Sequence, residues 1–378
     1  MVFDCHCCEP PWEMVATLID PGTEGQIRRY GPTATDPVNG IWIRTFNGGV
    51  ATAGFGGALR ILSDIDGNTY VAGRDDVDGN DIKKYDRNGV LQWAVDNEFD
   101  NQSSAPNAIA LNSSQQLVAE GGDFGTGSHG QIIQLFDVDG NVLWTSFNEG
   151  SETVANNVQG IVVDNNDDVF VLGTRVTPLP NNGTVWKLDG ATGALLDTFD
   201  VWEREGGAIQ LSIAYSPIDD SFYISGNQVI LGTGTDPADQ RTLEKFDASF
   251  NSVWHIDDLQ FFALDTNDDF VVGFSATNSE IVVYDHAGNE QWRANSGISW
   301  NGGGFTQVSI DNNDNVYAFS TASQITKYNN SDTGTGSSTG DVVWTTTSHG
   351  GQLAGLHVNK TFNELFACGA FSGGTNPP

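Results

Sequence analysis

Residues 61–93 contain the pattern that decides the fold: ILSDIDGNTYVAG (61–73), a polar gap, and then DIKKYDRNGVLQW (81–93). Apolar residues alternate with small or polar residues, a period of two that indicates strands and not helices. Tight turns rich in Asp, Asn and Gly separate the runs, and these residues tolerate the left-handed backbone of hairpins. The stretch therefore predicts four short antiparallel strands.

The same unit recurs along the chain, and repeated four-stranded units that close into a ring form a β-propeller. The two ends of the chain each resemble half a unit. We therefore predict an all-β fold, a seven-bladed β-propeller of four-stranded antiparallel blades, closed by a blade shared between the N- and C-termini. The predicted domains are an N-terminal arm (1–12), a propeller (13–373) and a C-terminal tail (374–378). Within the propeller, the predicted blades are 57–96, 105–147, 157–200, 207–256, 259–294 and 304–347, and the shared closing blade is 351–373 plus 13–46.

Tryptophan ends the fourth strand of most units, as in Asp86–Trp93 and Asp285–Trp292, which both read D-x-x-G-x-x-x-W. Large aromatic residues at one repeat position are typical of packing between blades. This repeat resembles the PQQ-like, quinoprotein-type propeller family, whose members include quinone-dependent dehydrogenases and outer-membrane assembly scaffolds. The resemblance implies a vicinal disulfide against the quinone in the enzymes. The vicinal pair here, Cys7-Cys8, precedes the first predicted strand, so we expect no quinone cofactor.

Composition limits the partners. The chain has 378 residues with 49 acidic and 16 basic side chains, a formal net charge of −33. Such a charge repels nucleic-acid backbones and anionic lipids. No apolar run approaches the roughly 20 residues needed to span a bilayer, and the first residues lack the features of a signal peptide. We therefore expect no nucleic-acid partner, no membrane insertion and no secretion by a signal peptide.

Two groups of residues are candidate metal ligands. The turns that begin at Asp64 and Asp137 place Asp66 and Asp139 two residues on, and clustered carboxylate and amide oxygens suit Ca²⁺. These turns lack the Gly and Glu of an EF-hand loop, so a repeated hairpin turn is the alternative interpretation. Near the N-terminus, Cys5 and Cys8 have the spacing of half a zinc site, and Cys7 lies between them. Disulfides, or an arm without metal, are the alternatives.

No arrangement of Ser, His and Asp resembles a known nucleophilic site, so no catalytic residue is predicted. The leading hypothesis is a non-enzymatic interaction or structural protein, a phage or virion component of the tail or capsid, located in the virion or otherwise in the cytoplasm. Its expected partners are other structural proteins of the assembly, through the N-terminal arm, and a host surface glycan or receptor. The alternatives are a propeller enzyme acting on a polysaccharide or a lactone, and a cellular protein-assembly scaffold.

Overall fold

Strands form the regular secondary structure of the described part of the chain. The computed structural model describes residues 19–20, 24–29, 42–46, 57–74, 82–95, 108–121, 132–147, 158–175, 181–204, 211–226, 241–257, 261–275, 279–295, 307–319, 324–329, 340–345, 351–362 and 364–371. These ranges include no helix that could cross a membrane.

Six four-stranded antiparallel sheets follow three N-terminal strands, and within each sheet the strands pair in chain order. The chain begins with β1 (Ile19–Asp20), β2 (Glu24–Arg29) and β3 (Trp42–Phe46). Blade 1 contains β4 (Gly57–Ser63), β5 (Thr69–Arg74), β6 (Ile82–Tyr85) and β7 (Leu91–Val95); blade 2 contains β8 (Ile109–Leu111), β9 (Leu117–Gly121), β10 (Ile132–Phe136) and β11 (Val142–Phe147); blade 3 contains β12 (Val158–Val163), β13 (Val169–Arg175), β14 (Asn181–Leu188) and β15 (Leu195–Arg204).

The second half of the chain repeats this order and ends in a hairpin. Blade 4 contains β16 (Leu211–Ser216), β17 (Ser221–Gly226), β18 (Arg241–Phe246) and β19 (Ser252–Asp257); blade 5 contains β20 (Phe261–Thr266), β21 (Phe270–Ser275), β22 (Glu280–Asp285) and β23 (Glu290–Asn295); blade 6 contains β24 (Gln307–Ile310), β25 (Val316–Phe319), β26 (Ile325–Asn329) and β27 (Asp341–Thr345). The hairpin consists of β28 (Gly351–Asn359) and β29 (Glu364–Phe371).

The prediction of seven blades is wrong: the described part of the chain forms six four-stranded blades. The expected strands do form at both chain ends, but β28 and β29 make a two-stranded sheet and β1, β2 and β3 make a separate three-stranded one. Strand β2 pairs with β3 along one edge, and on its other edge β1 pairs with only Glu24 and Gly25. Strand β29 lies close to β2 but forms no ladder of hydrogen bonds with it, so the two chain ends do not join into one sheet in the described part of the chain.

The C-terminal hairpin still links the first and last blades. The backbone N–H of Val358 donates to Ser309 Oγ of blade 6 at 3.1 Å. On the other side, Asn359 Nδ2 donates to Ser63 Oγ at 2.8 Å and to the Asp64 carbonyl oxygen at 2.7 Å, both in blade 1. The ring of six blades is therefore closed by the hairpin.

The hydrophobic core lies between neighbouring blades. One cluster joins Tyr70 of blade 1 to Leu117 of blade 2, and the next joins Leu135 of blade 2 to Val171 of blade 3. Equivalent clusters join blades 3 and 4, blades 4 and 5, and blades 5 and 6. Blades 2 to 5 are thus held by apolar burial on both of their faces, which joins the six blades into a continuous packed array.

Every blade has a β-bulge at the same place, between its third and fourth strands. In blade 1, Lys84 pairs with Trp93 and Tyr85 pairs with Leu91, so Gln92 is the extra residue. The other blades show the same shift in register. A bulge bends an edge strand and redirects the side chains beside it. The residue after the bulge is Trp in every blade except blade 3.

These tryptophans dock onto the turn between the third and fourth strands of the next blade. The indole Nε1 of Trp93 donates to the Val138 carbonyl oxygen at 2.9 Å. A Cβ on Gly140 of the same turn would lie only 2.8 Å from the Trp93 ring. Trp144, Trp254 and Trp292 cover Gly193, Gly288 and Gly340 in the same way. The predicted packing between blades is therefore confirmed for these four tryptophans; Trp344 contacts Tyr317 of its own blade, and its packing on another stays a prediction.

Blades 3 and 4 meet by a different contact. Asp197 occupies the position of the tryptophan, opposite Lys187. The turn of blade 4 has Phe250, with φ +59°, where the other turns have glycine. The Phe250 ring stacks on Phe199 of blade 3 at 4.4 Å and on Phe222 at 4.7 Å. The aromatic ring at this junction therefore comes from the turn of the next blade, not from the strand of the preceding one.

Candidate functional site

One face of the ring consists of two sets of turns. We call the turn between the first and second strands of a blade its inner turn, and the turn between the third and fourth strands its outer turn. Because the four strands form a simple meander, both turns lie at the same end of the sheet. The Asp-rich segments that the sequence singled out all belong to this turn face.

Asp64 organises the inner turn of blade 1. Its Oδ1 accepts the backbone N–H groups of Asp66 at 3.0 Å and Asn68 at 2.8 Å, and its Oδ2 accepts Asn68 Nδ2 at 2.7 Å and the Tyr70 hydroxyl at 3.3 Å. Burial and the Asp64 carboxylate raise the pKa of Tyr70, so its hydroxyl stays protonated and donates. Both Asp64 oxygens are thus engaged in the hairpin, as the alternative interpretation of these turns predicts.

Asp137 has the same role in the outer turn of blade 2. Asn141 donates to it from its side chain, at 2.9 Å to Oδ2, and from its backbone N–H, at 2.8 Å to Oδ1. These bonds hold the pKa of Asp137 below its usual value. Asp66 and Asp139 donate only backbone N–H groups, and their side chains are exposed.

The four acidic candidates therefore belong to two different turns on two blades. Across the residues described, no three His, Cys, Asp or Glu side chains are grouped closely enough to hold a metal ion. Calcium at Asp64, Asp66, Asp137 or Asp139 stays a prediction. Cys5, Cys7 and Cys8, the candidate zinc ligands, lie outside the described residues together with the rest of the N-terminal arm.

In blade 5 the inner turn begins two residues later than the sequence pattern predicts. Asn267, not Asp265, accepts the backbone N–H groups of Asp269 at 3.0 Å and Phe270 at 2.8 Å. Asp265 therefore has no part in the turn. A signal for this shift is present in the sequence, because Asp64, Asp164 and Asp311 are each followed six residues later by an aromatic residue, whereas Asp265 is followed by Val271.

Asp265 instead links blades 5 and 6 to the C-terminal hairpin. Its Oδ2 accepts Ser309 Oγ at 2.6 Å and the Ile310 N–H at 3.0 Å, and its Oδ1 lies 3.1 Å from Lys360 Nζ. Lys360 also donates to the Thr266 carbonyl oxygen. First strands of successive blades lie side by side around the ring, so this network faces the centre of the propeller. Sequence reasoning missed it.

In the network around Asp265, electrostatic effects keep the Asp265 carboxylate ionised and the nearby His357 imidazole uncharged. Burial acts to raise the pKa of Asp265, but the Lys360 ammonium and the hydrogen bonds from Ser309 and Ile310 outweigh it, so the pKa is lowered. Burial lowers the pKa of His357, on β28, to about 4; the Asp265 carboxylate opposes this shift, and Lys360 acts in the same direction as burial. At neutral pH the imidazole is therefore uncharged.

Four of the scarce lysines lie on third strands, each over an aromatic ring of its own blade: Lys84 over Tyr70, Lys187 over Phe170, Lys245 over Tyr223 and Lys327 over Tyr317. Two of them also bind the next blade: Lys84 Nζ donates to the Val138 carbonyl oxygen at 3.2 Å and Lys245 Nζ to the His286 carbonyl oxygen at 2.8 Å. The Lys245 ammonium also pairs with Asp219. Lys187 is paired with Asp168 at 2.8 Å.

Comparison with solved structures agrees with this architecture. Over nearly its whole length, the chain is similar to BamB from Moraxella catarrhalis (TM-score 0.51, 14% identity, 96% of this chain and 97% of that one). It is also similar to a streptogramin B lyase (TM-score 0.55, 12% identity, 85% and 95%) and to the Dos1 propeller (TM-score 0.55, 12% identity, 97% and 91%). No family model matches the chain. No curated protein matches it at a significant level.

The class of protein is thereby defined as a β-propeller. Its similarity to BamB over nearly the whole chain supports a propeller fold. At these low identities the similarity concerns the fold alone.

Proposed function

We propose that this protein is a non-catalytic interaction protein, a rigid component of a larger assembly. The observation that carries the proposal is a set of exposed aliphatic side chains at the start of the fourth strands, on the outside of the ring. We call this set the aliphatic rim; it consists of Val90, Leu91, Val142, Leu143, Leu195, Leu196, Val253, Val342 and Val343, which are between 48% and 59% exposed.

The rim repeats at one structural position. Single exposed aliphatic residues are normal on protein surfaces, but here they recur beside the bulge in five of the six blades. These exposed side chains do not provide the packing between blades: in blades 1, 2 and 4 the tryptophan after the bulge makes that contact, and between blades 3 and 4 the Phe250 ring makes it. Repeated apolar surface on a rigid ring is what a scaffold that binds other proteins requires.

The bulges indicate how a partner binds this surface. An edge strand with free backbone groups can pair with a strand of another chain, and a bulge interrupts such pairing. Since the bulge lies within the rim, the partner contacts the aliphatic side chains and does not extend the sheet.

Within this class, we propose a virion structural component, in contact with other structural proteins and with a host surface glycan or receptor. The acidic, lysine-poor composition supports this proposal, and so does the use of the few lysines inside the fold. Mass spectrometry of purified particles from the source culture tests it. Stoichiometric presence in the particle is the expected result. A monomeric protein absent from every particle fraction would contradict it.

We also propose membership of the PQQ-like repeat family. The support is the contact made by the residues of the repeat itself: the tryptophan of D-x-x-G-x-x-x-W covers the glycine of the same motif in the next blade, as Trp93 covers Gly140. This proposal concerns the ancestry of the fold. It carries no quinone chemistry to this chain.

A further inference from the structure

The aliphatic rim lies beside carboxylates on every blade that contributes to it. Each outer turn of blades 1–4 begins with an Asp four to six residues before the rim, and in blade 6 the exposed Asp341 directly precedes Val342. Hydrogen bonds within the turns lower the pKa of three of these acids: Asn141 donates to Asp137, Thr192 to Asp189 and Asn251 to Asp247. These three carboxylates beside the rim are therefore ionised throughout the physiological range.

The nearest lysines do not balance this charge, because their ammonium groups are directed into the fold. Lys84 and Lys245 lie on strands directly beneath the rim, are 7% and 6% exposed, and reach the outer turn of the next blade. Lys187 is turned toward the inner turn of its own blade, where it pairs with Asp168. The outer turn of blade 1 also has Arg87, whose guanidinium lies over the Phe362 ring. An incoming partner therefore meets aliphatic side chains beside an excess of carboxylates.

The net charge also restricts what that partner is. Two copies of a chain with a formal charge of −33 repel each other, so a second copy is disfavoured at low ionic strength. Charge complementarity favours a partner whose apolar side chains are surrounded by lysine or arginine.

We infer that the aliphatic rim binds a cationic protein segment with exposed apolar side chains. This inference rests on the proposed function and adds the chemistry of the partner to it. The segment inserts its apolar residues between the rim side chains while its positive charges meet the carboxylates of the outer turns.

Blade 5 provides a built-in contrast. Its fourth strand has Glu290 and Gln291 at the positions of the rim residues. Arg293 binds Glu290, with Nε to Oε1 at 2.7 Å, and also Glu280, with Nη1 to Oε2 at 3.0 Å. Blade 5 keeps the turn carboxylate, Asp285, but it has no exposed aliphatic side chains at that place, so the inferred partner does not bind it.

The test uses the full chain, two fluorescent peptides of equal length and a rim variant. One peptide contains only Leu and Lys, and the other contains only Leu and Glu. The rim variant combines Leu91→Asn, Leu143→Asn, Leu196→Asn and Val343→Asn, all exposed positions where substitution costs little stability. Gln291→Asn, at the bulge of blade 5, is the matched control. Thermal unfolding shows that each variant is folded, and fluorescence anisotropy gives the affinities.

The expected result is that the rim variant binds the Leu/Lys peptide at least about tenfold more weakly than the wild type. The Gln291→Asn control keeps the wild-type affinity, and added salt weakens binding to the wild type. If the wild type binds the Leu/Glu peptide as tightly and the rim variant loses that binding, the charge inference is overturned while the rim remains a binding surface. If the rim variant binds both peptides like the wild type, the proposed function loses the observation that carries it.

Discussion

Lys84 and Trp93 lie opposite each other on β6 and β7, and both donate to one acceptor, the carbonyl oxygen of Val138 in blade 2. Lys245 and Trp254 repeat the arrangement on the carbonyl oxygen of His286 in blade 5. A cross-strand Lys–Trp pair of one blade thus donates two hydrogen bonds to one carbonyl oxygen in the outer turn of the next blade. This contact gives a structural role to Lys84 and Lys245, two of the few lysines in the chain.

Removing these two donors is expected to be non-additive. Trp93→Phe removes the indole donor and part of the ring, and Lys84→Met removes the ammonium while keeping much of the stem. Each substitution leaves the Val138 carbonyl oxygen one donor, whereas the double variant leaves it none. We expect each single variant to lose about 1–2 kcal/mol of unfolding free energy, and the double variant to lose more than the sum by at least about 0.5 kcal/mol. Urea unfolding measures all three. Strict additivity would show that the two donors act independently.

The glycine beneath each tryptophan is expected to be sensitive to any side chain. Gly140 has φ +86°, and a Cβ there would lie 2.8 Å from the Trp93 ring, so Gly140→Ala combines backbone strain with a clash. Gly67 has a similar φ of +81°, but the nearest atom to its Cβ would be Arg87 Cδ, at 3.3 Å on a flexible side chain. Gly67→Ala is therefore the control, with a cost of about 1 kcal/mol from strain alone. We expect Gly140→Ala to cost at least about 2 kcal/mol. Equal losses of unfolding free energy in the two variants would show that the Trp93 ring moves aside at no energetic cost.

Between blades 3 and 4 the packing ring is Phe250 from the turn of blade 4, and position 197 of blade 3 has no tryptophan. Two substitutions that restore the tryptophan and the glycine of the other blades test this arrangement. Phe250→Gly relieves the positive φ but removes a ring stacked on Phe199 and Phe222, so we expect a loss of about 2–4 kcal/mol. Asp197→Trp alone places an indole where Phe250 already occupies the docking position, and it gains nothing. In the double variant the indole covers a glycine, as in the other blades. Recovery of at least about 1 kcal/mol relative to the sum of the single variants is expected. Chemical unfolding of the wild type, the two single variants and the double variant gives their unfolding free energies. Full additivity of the losses would contradict the idea that the indole introduced by Asp197→Trp and the Phe250 ring compete for one packing position.

His357 is expected to make stability depend on pH. Its pKa is about 4 in the folded protein, below the value of about 6.5 in an unfolded chain, so between these values the unfolded state binds more protons. Stability therefore falls as pH decreases from about 6.5 to 4, with a contribution of about 3 kcal/mol from this group. His357→Gln removes that contribution, so its stability relative to the wild type improves as the pH is lowered. An NMR titration of the imidazole gives the pKa directly. A midpoint near 6.5 would contradict the burial of this side chain.

The repeated unit could be predicted from sequence because its signals are local. Alternating strands, Asp-led turns and the tryptophan position all follow from neighbouring residues, and each four-stranded sheet falls largely within one predicted repeat unit, although β15 runs to Arg204, beyond the predicted end at 200. Strand pairing at the chain ends was not predictable in the same way, because β2 and β29 are far apart in sequence, and whether two neighbouring strands form a ladder depends on their tertiary arrangement. The Asp265 network escaped because its partners, Ser309 and Lys360, are distant in sequence.

The rim was also beyond sequence reasoning. Leu195 and Leu196 look like core residues of a strand, and only the bulge and the outer position of β15 show that both are exposed. The same holds for Val342 and Val343 in blade 6.

Hydrogen–deuterium exchange of the free protein and of the same protein in its native assembly tests the central claim, that this propeller is an interaction protein that binds through its aliphatic rim. We expect slower exchange on assembly in β7, β11, β15, β19 and β27. The exchange of β23 in blade 5, which lacks rim residues, is expected to remain unchanged. Unchanged exchange along the rim strands, or equal protection of β23, would contradict the claim.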